Sequence, residues 1–273
     1  MTIPELTNKH KGCYPFRLAC PSFIYPAGYV DNVRRLAGCV DEIELLLLES
    51  LPGSLPGRQE INELAVIGND CGLTFNIHLP TDIDIGAVNP ESGRTAVDAL
   101  LRVIDLARPL APVSATLHIP GTDVSGHTQK MNDWRERVMK NLSRLLEKSG
   151  IPPRSVAIET LDYPIADLDP VIRNLDLSVC LDTGHLMVRN EDCRNVFRTW
   201  AERIVIVHVH GVESGRDHLA LSRLSKNQTG QIAHILSAFQ QSLSLEVFSV
   251  EALAASLDYL DRIWQDPSQL KNA

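Results

Sequence analysis

The sequence predicts a single α/β domain, a (β/α)8 TIM barrel, on three observations. Eight short apolar runs recur along the chain, amphipathic segments of helical period separate them, and no Gly/Ser/Pro linker divides the series. The runs lie at 16–20 (FRLAC), 42–49 (EIELLLLE), 74–79 (TFNIHL), 114–119 (SATLHI), 155–160 (SVAIET), 177–182 (LSVCLD), 204–210 (IVIVHVH) and 243–248 (LSLEVF). Most are nearly continuous in apolar character, as expected for parallel strands covered on both faces. Their starts are spaced 22 to 41 residues apart, close to the length of a βα unit. An open doubly wound sheet is disfavoured, because no GxGxxG loop follows the first run.

The intervening helices show the expected period. From Ser92 to Arg108, Val97, Leu100, Leu101 and Ile104 repeat at i, i+3, i+4 and i+7. A helix beginning after Thr128 places Trp134, Val138, Leu142, Leu145 and Leu146 on one face, and Gly150 with Pro152 and Pro153 stops it. The last helix carries Val250, Leu253, Leu257, Leu260 and Trp264. The stretch Leu51–Gly57 reads as a loop, residues 1–12 and 266–273 as flexible tails, and 13–265 as the catalytic domain.

Composition narrows the function. The 273 residues carry 34 acidic against 26 basic groups, a formal charge of −8, which repels phosphate backbones and makes duplex DNA an unfavourable partner. No apolar run reaches the roughly 18 residues of a membrane helix, and the start lacks a secretory apolar segment, so a cytoplasmic protein without a membrane partner is expected. The six cysteines (Cys13, Cys20, Cys39, Cys71, Cys180, Cys193) form no CxxC and read as reduced thiols.

The chemistry gathers at the carboxyl ends of the runs. Of nine histidines, His78, His118, His185, His208, His210 and His218 fall at or just after strand ends, whereas His10, His127 and His234 read as solvated. Glu159 ends the fifth run, Asp182 the sixth, and Glu246 lies near the end of the eighth. In a barrel these ends converge on one face, where this fold builds its sites. Carboxylates in apolar strands are costly unless paired or metal-bound, and a rim of imidazoles and carboxylates calls for a common cation. That donor set suits Zn²⁺, Mn²⁺ or Fe rather than Ca²⁺. In Asp182-Thr183-Gly184-His185 the glycine is expected to permit a tight turn that returns the histidine to the pocket.

These residues make the sequence similar to the xylose-isomerase-like, AP-endonuclease-type TIM barrels over nearly its whole length. In single-metal epimerases of that superfamily a Glu, an Asp, a His and a Glu from strands five to eight hold one ion, and Glu159, Asp182, His208 and Glu246 match them. The endonuclease IV branch adds further ligands, matched by His78, by His118 in LHIPG, by His185 and by Asp217 with His218. The family spaces that last pair D-x-H, whereas Asp217 and His218 are adjacent. The resemblance implies two or three divalent transition metal ions, with Glu159 as the bridge.

Two cations about 3.5–4 Å apart favour hydrolysis at phosphorus. A single-metal sugar isomerase, epimerase or inosose dehydratase would use Glu159 and Glu246 as an acid/base pair and gain little from His78 and His118. A xylose isomerase or Schiff-base aldolase also needs a barrel lysine, and the lysines avoid every strand end. Candidate catalytic groups are Glu159, Glu246 and His210, the last as donor to the leaving oxygen or as a ligand in place of His208. The loops after runs six and seven offer Arg189, Arg194, Arg216, Arg223 and Lys226 for a phosphate, Arg216 being the candidate substrate contact.

Tyr14–Ser50 and His208–Leu221 further resemble a bacterial subgroup described as cobamide-remodelling phosphodiesterases. That resemblance implies a cobamide as the small-molecule substrate, with Phe23, Ile24, Tyr25 and Pro26 as an apolar wall. Abasic-site endonuclease activity and a non-catalytic metal-bearing barrel are the other readings. Glu44 and Glu49 alternate with leucines on the second strand, and Glu49, at its end, is the candidate substrate or ligand-supporting group.

Overall fold

The computed structural model describes residue 6 and residues 9–121 and 128–265. The expectations for residues 1–5, 7, 8 and 266–273 and for His127 lie outside the described residues. Eight parallel strands close into a barrel in the order β1 (Arg17–Pro21), β10 (Ser242–Leu245), β7 (Ile204–Val209), β6 (Ser178–Asp182), β5 (Val156–Glu159), β4 (Ala115–Leu117), β3 (Thr74–His78) and β2 (Glu42–Leu46). A short antiparallel hairpin, β8 (Gly211–Glu213) and β9 (Arg216–Leu219), follows β7.

Helices α1 (Tyr29–Leu36), α2 (Arg58–Cys71), α3 (Pro90–Ala107), α4 (Thr128–Ser149), α5 (Asp169–Asn174), α6 (Thr183–Val188), α7 (Cys193–Trp200), α8 (Lys226–Leu236) and α9 (Val250–Gln265) accompany the strands. Local chemistry sets their ends. Asn89 caps α3 through Glu91 N–H with Pro90 in the first turn, and Ser225 and Gln228 form a capping box on α8. Gly72 and Gly150, both with left-handed φ, follow α2 and α4.

The strands are not uniformly apolar: they alternate. Leu18, Ile43, Leu45, Phe75, Ile77, Leu117, Ile158, Val179, Leu181, Val207 and Leu243 join the apolar core that carries the helices. The interleaved positions Glu42, Glu44, Asn76, Thr116, Ser178, Ser242 and Ser244 are buried polar residues. A separate small cluster is formed by Ala157, Cys180 and Ile206, with Val205 packed against it. The polar column corrects the expectation of continuous apolar strands, and its reason is chemical: each column ends at the carboxyl rim in a group such as His78, Glu159, Asp182 or His208. Register places Asp182 opposite His208 and Glu159 opposite Cys180.

Two local expectations are also corrected. His10 is buried at 3% exposure, its backbone N–H bonded to Cys39 O at 3.0 Å and its Nδ1 3.5 Å from Asp261, so its side chain is packed rather than solvated. Gly184 is helical and makes no left-handed turn. A Cβ there would lie 1.9 Å from His210 Cε1, so glycine is needed for the close approach of that ring.

Candidate metal centre

Glu159 is the hub. Strand β5 delivers it, 1% exposed, and its Oε2 lies 2.8 Å from His118 Nε2 and 3.2 Å from His78 Nε2. Its Oε1 faces the other way, 3.5 Å from His185 Nδ1 and 3.7 Å from His208 Nδ1. His78 Nδ1 donates to Leu79 O at 3.0 Å, which frees Nε2 as the lone-pair nitrogen toward Glu159.

On the far side, Asp182 caps α6 by accepting His185 N–H through Oδ1 at 2.7 Å and turns Oδ2 to the centre. His208 Nδ1 lies 3.8 Å from that oxygen and 3.1 Å from Glu246 Oε2. Both His208 Nδ1 and Glu246 Oε2 are buried without a hydrogen bond. Of four sets among the described residues that offer one ligand atom per residue within 4.8 Å, two centre on these groups: His78, His118 and Glu159, and Glu159, Asp182, His208 and Glu246. Unpaired buried donor atoms amid carboxylates are what a divalent cation requires, so the residues fit the expected metals.

Protonation tells the same story. Burial opposes charging of His78, but Glu159, Glu44 and Glu246 outweigh it and push the imidazole up to about 8. Burial is likewise outweighed at His218, pushed up to about 9 by Glu246 and Asp217. Burial raises Glu159 and Glu246, yet the facing imidazoles hold both well below the carboxylate range. Protons thus occupy the positive role that metal ions would take.

The structure sorts the remaining candidates. His210 is fully buried; its Nδ1 accepts His218 N–H at 2.9 Å, so Nε2 carries the proton and donates to Asp182 Oδ2 at 3.2 Å. Asp182, His210, His218 and Glu246 also converge within 4.8 Å, but that tautomer leaves His210 no lone pair for a metal. His185 donates Nδ1–H to Thr160 O at 3.0 Å and its Nε2 is 4.0 Å from Asp217 Oδ2. Asp217 Oδ1 is 3.1 Å from His218 Nδ1, while His218 Nε2 faces Glu246 at 3.5 Å, and its ring stacks on His210 and Phe248. Among the described residues, His185, Asp217 and His218 do not form a third converging set.

Three substrate candidates are placed elsewhere. Glu49 is exposed and bonded to Ser54 Oγ at 2.5 Å. Tyr25 is 3% exposed, its ring under the Arg35 guanidinium, and Asn32 ties its backbone down with bonds of 2.7 and 3.1 Å. Arg216 is exposed on β9, where alternation turns it away from the cleft that its neighbour Asp217 lines. Of the proposed wall, Phe23 stays accessible, its ring tilted at 50° to Tyr29, while Ile24 is buried.

A cleft of about 440 Å³ opens beside the centre, with His118, His185 and Asp217 at its inner edge. Pro120, Leu161 and Val188 form an apolar wall, and Arg189 and Asp162 are its other charged members. Arg189 is fixed by Leu161 O at 3.2 Å and by Glu191. Arg194 is likewise bound to Asp192 and Arg223 to Glu213, and neither lines this cleft. Glu44, passed over in favour of Glu49, is fully buried against His208. Its signal was the strict alternation of Glu42, Ile43, Glu44 and Leu45.

Comparison with known proteins agrees with the fold. The family model described as xylose isomerase-like TIM barrel matches residues 33–263, and the chain belongs to that family. A search of curated proteins finds no match. Among solved structures, a D-tagatose 3-epimerase-like protein is similar at 15% identity and TM-score 0.74, covering 92% of this chain and 97% of that one. Endonuclease IV from Thermus thermophilus is similar at 18% identity and TM-score 0.66, covering 91% and 99%. L-ribulose 3-epimerase is similar at 21% identity and TM-score 0.64, covering 92% and 88%. Likeness at these identities concerns the fold alone.

Proposed function

We propose that this member of the xylose isomerase-like TIM barrel family is a metal-dependent phosphodiesterase acting on a small-molecule phosphodiester, the nucleotide loop of a cobamide. The observation that carries the reading is Glu159, whose two oxygens serve two ligand sets, one rich in imidazole and one in carboxylate. His78, His118 and Glu159 would hold one cation, and Glu159, Asp182, His208 and Glu246 the other. When bound, such ions supply Lewis-acid activation of water and neutralise charge developing on phosphoryl oxygens.

The chain's own residues do the rest. Arg189 stands at the cleft wall to orient the phosphodiester anion, and His210 acts by holding Asp182 rather than by giving a proton to the leaving oxygen. Hydrolysis adds one water across the P–O bond: its oxygen bonds phosphorus, the ester bond breaks, and the leaving oxygen takes a proton from solvent in the open cleft. The wall formed by Pro120, Leu161 and Val188 suits a substrate with a broad apolar body better than a free sugar. Phe23, Leu51, Val88, Val188 and Phe248, five of the seven exposed large apolar side chains among the described residues, lie in segments that follow the carboxyl ends of barrel strands. A cobamide has such a body, and the −8 charge disfavours duplex DNA.

The second reading, a single-metal sugar epimerase, is favoured by the completeness of the Glu159, Asp182, His208 and Glu246 set on its own. Metal analysis and product masses separate the two. Two tightly bound divalent ions per chain are expected, with loss of one on His118→Ala, and cobamide should split into two products whose masses sum to substrate plus one water. One ion per chain, indifferent to His118→Ala, together with turnover of ketohexoses, would sink the phosphodiesterase reading.

A further inference from the structure

Strand β2 turns two acidic side chains into the barrel, Glu42 and Glu44, both fully buried. Their surroundings differ in a telling way. Glu42 is neutralised structurally: Arg17 Nε donates to it at 3.0 Å, Thr74 Oγ1 at 2.8 Å and Asn76 Nδ2 at 2.8 Å. Glu44 has no lysine or arginine partner among the described residues. Its Oε2 accepts from Ser244 Oγ at 2.6 Å, and its Oε1 lies 2.8 Å from His208 Nε2.

A buried carboxylate without a cation is expensive and persists where its charge is used. In the neutral ring, which a metal requires, accepting from His208 Nε2–H fixes the tautomer and leaves the lone pair on Nδ1. That nitrogen is fully buried, makes no hydrogen bond, and faces Glu246, Glu159 and Asp182 at 3.1, 3.7 and 3.8 Å. Without Glu44 the neutral ring could place its proton on Nδ1, bonded to Glu246, and the donor atom would be lost. A carboxylate on the far nitrogen also makes the imidazole a stronger donor.

We infer that Glu44 is a positioning residue that presents His208 Nδ1 as a preorganised donor to a divalent cation held with Glu159, Asp182 and Glu246. The inference rests on the metal-binding part of the proposed function and not on the reaction. A chain that takes up metal but cleaves no cobamide would fail the latter alone.

The test is a Mn²⁺ titration of the metal-free full-length chain, with free Mn²⁺ read by electron paramagnetic resonance. Glu44→Leu should weaken one binding step by about 10–100-fold. Glu44→Gln, whose amide oxygen still accepts the His208 proton, should weaken that step by less, about threefold to tenfold. Glu42→Gln is the structural control: it should lower the urea midpoint and leave Mn²⁺ affinity unchanged. In the Zn²⁺-loaded chain, nitrogen-15 shifts of the His208 ring should report a proton on Nε2 with Nδ1 as the donor in the wild type, and loss of that form in Glu44→Leu. If Glu44→Leu does not fold, Glu44→Gln decides, and unchanged affinity there overturns the inference. So does a Glu42→Gln variant that loses as much affinity as Glu44→Gln.

Discussion

At the residue scale, protons and a divalent cation would compete for the imidazoles of the candidate centre. In the metal-free chain His78 is pushed up to about 8 and His218 up to about 9 by neighbouring carboxylates that outweigh their burial. The unfolded value is about 6.5. A raised pKa stabilises the folded chain fully below about pH 6.5 and loses that contribution as pH rises through about 8, roughly 2 kcal/mol from His78 alone. Metal needs the neutral ring, so loading moves the opposite way, weakening up to about tenfold for each unit of pH below about 8 per displaced proton. Urea unfolding should therefore show the metal-free chain more stable at pH 6 than at pH 9, with the order reversed in saturating Mn²⁺ or Zn²⁺. Parallel pH trends in the two states would refute the competition. His78, His118, Glu159, Asp182, His208 and Glu246 were each legible in the sequence, because an ionisable group closing an apolar run has no cheap structural use. Glu44 was legible only in part, since its role depends on which neighbour strand faces it, and closure of the barrel decides that.

At the element scale, eight strands and their helices followed from apolar spacing, whereas the β8–β9 hairpin did not. Its strands are short and polar, and its signal was the Ser214–Gly215 dipeptide, whose φ values of 54° and 75° make the two-residue turn a twisted hairpin needs. The hairpin matters because it carries Asp217 and His218, the pair expected to complete a third metal site. The two residues are adjacent, and His218 sits at φ 52°, outside the extended region, so strand alternation does not separate them: their side chains meet at 3.1 Å, Asp217 lining the cleft and His218 stacking on the His210 and Phe248 rings. We expect two tightly bound ions and not three, and His218→Ala should retain both through gel filtration as measured by elemental analysis. A third ion, lost specifically in His218→Ala, would show that the hairpin rearranges on loading.

At the scale of the whole molecule, the centre works as a clasp. Its ligands come from β3, β5, β6 and β7 and from the residues just beyond β4 and β10, and Glu44 adds β2 from behind His208. These strands are consecutive around most of the barrel. Among the described residues, the barrel interior holds buried Glu42, Glu44, Asn76, Thr116 and serines beside a few apolar side chains such as Ile206, where branched aliphatic layers usually fill this fold. Above neutral pH the metal-free rim places the carboxylates of Glu159, Asp182 and Glu246 together as their imidazole partners lose protons. Cations taken up there would bind the folded chain and not the unfolded one. At a free concentration of about a thousand times the dissociation constant, one such ion adds about 4 kcal/mol. For a domain of this size that corresponds to roughly 8–16 °C in Tm. Chelation at pH 9 should lower the melting temperature of the purified chain by about that much, and restored Mn²⁺ or Zn²⁺ should recover it. His118→Ala, which removes one ligand from the imidazole-rich set, should show a smaller chelator-dependent drop. A chelated wild type that melts within about 2 °C of the loaded chain would mean that the barrel closes without the ions, and that its polar interior is stabilised by hydrogen bonds alone.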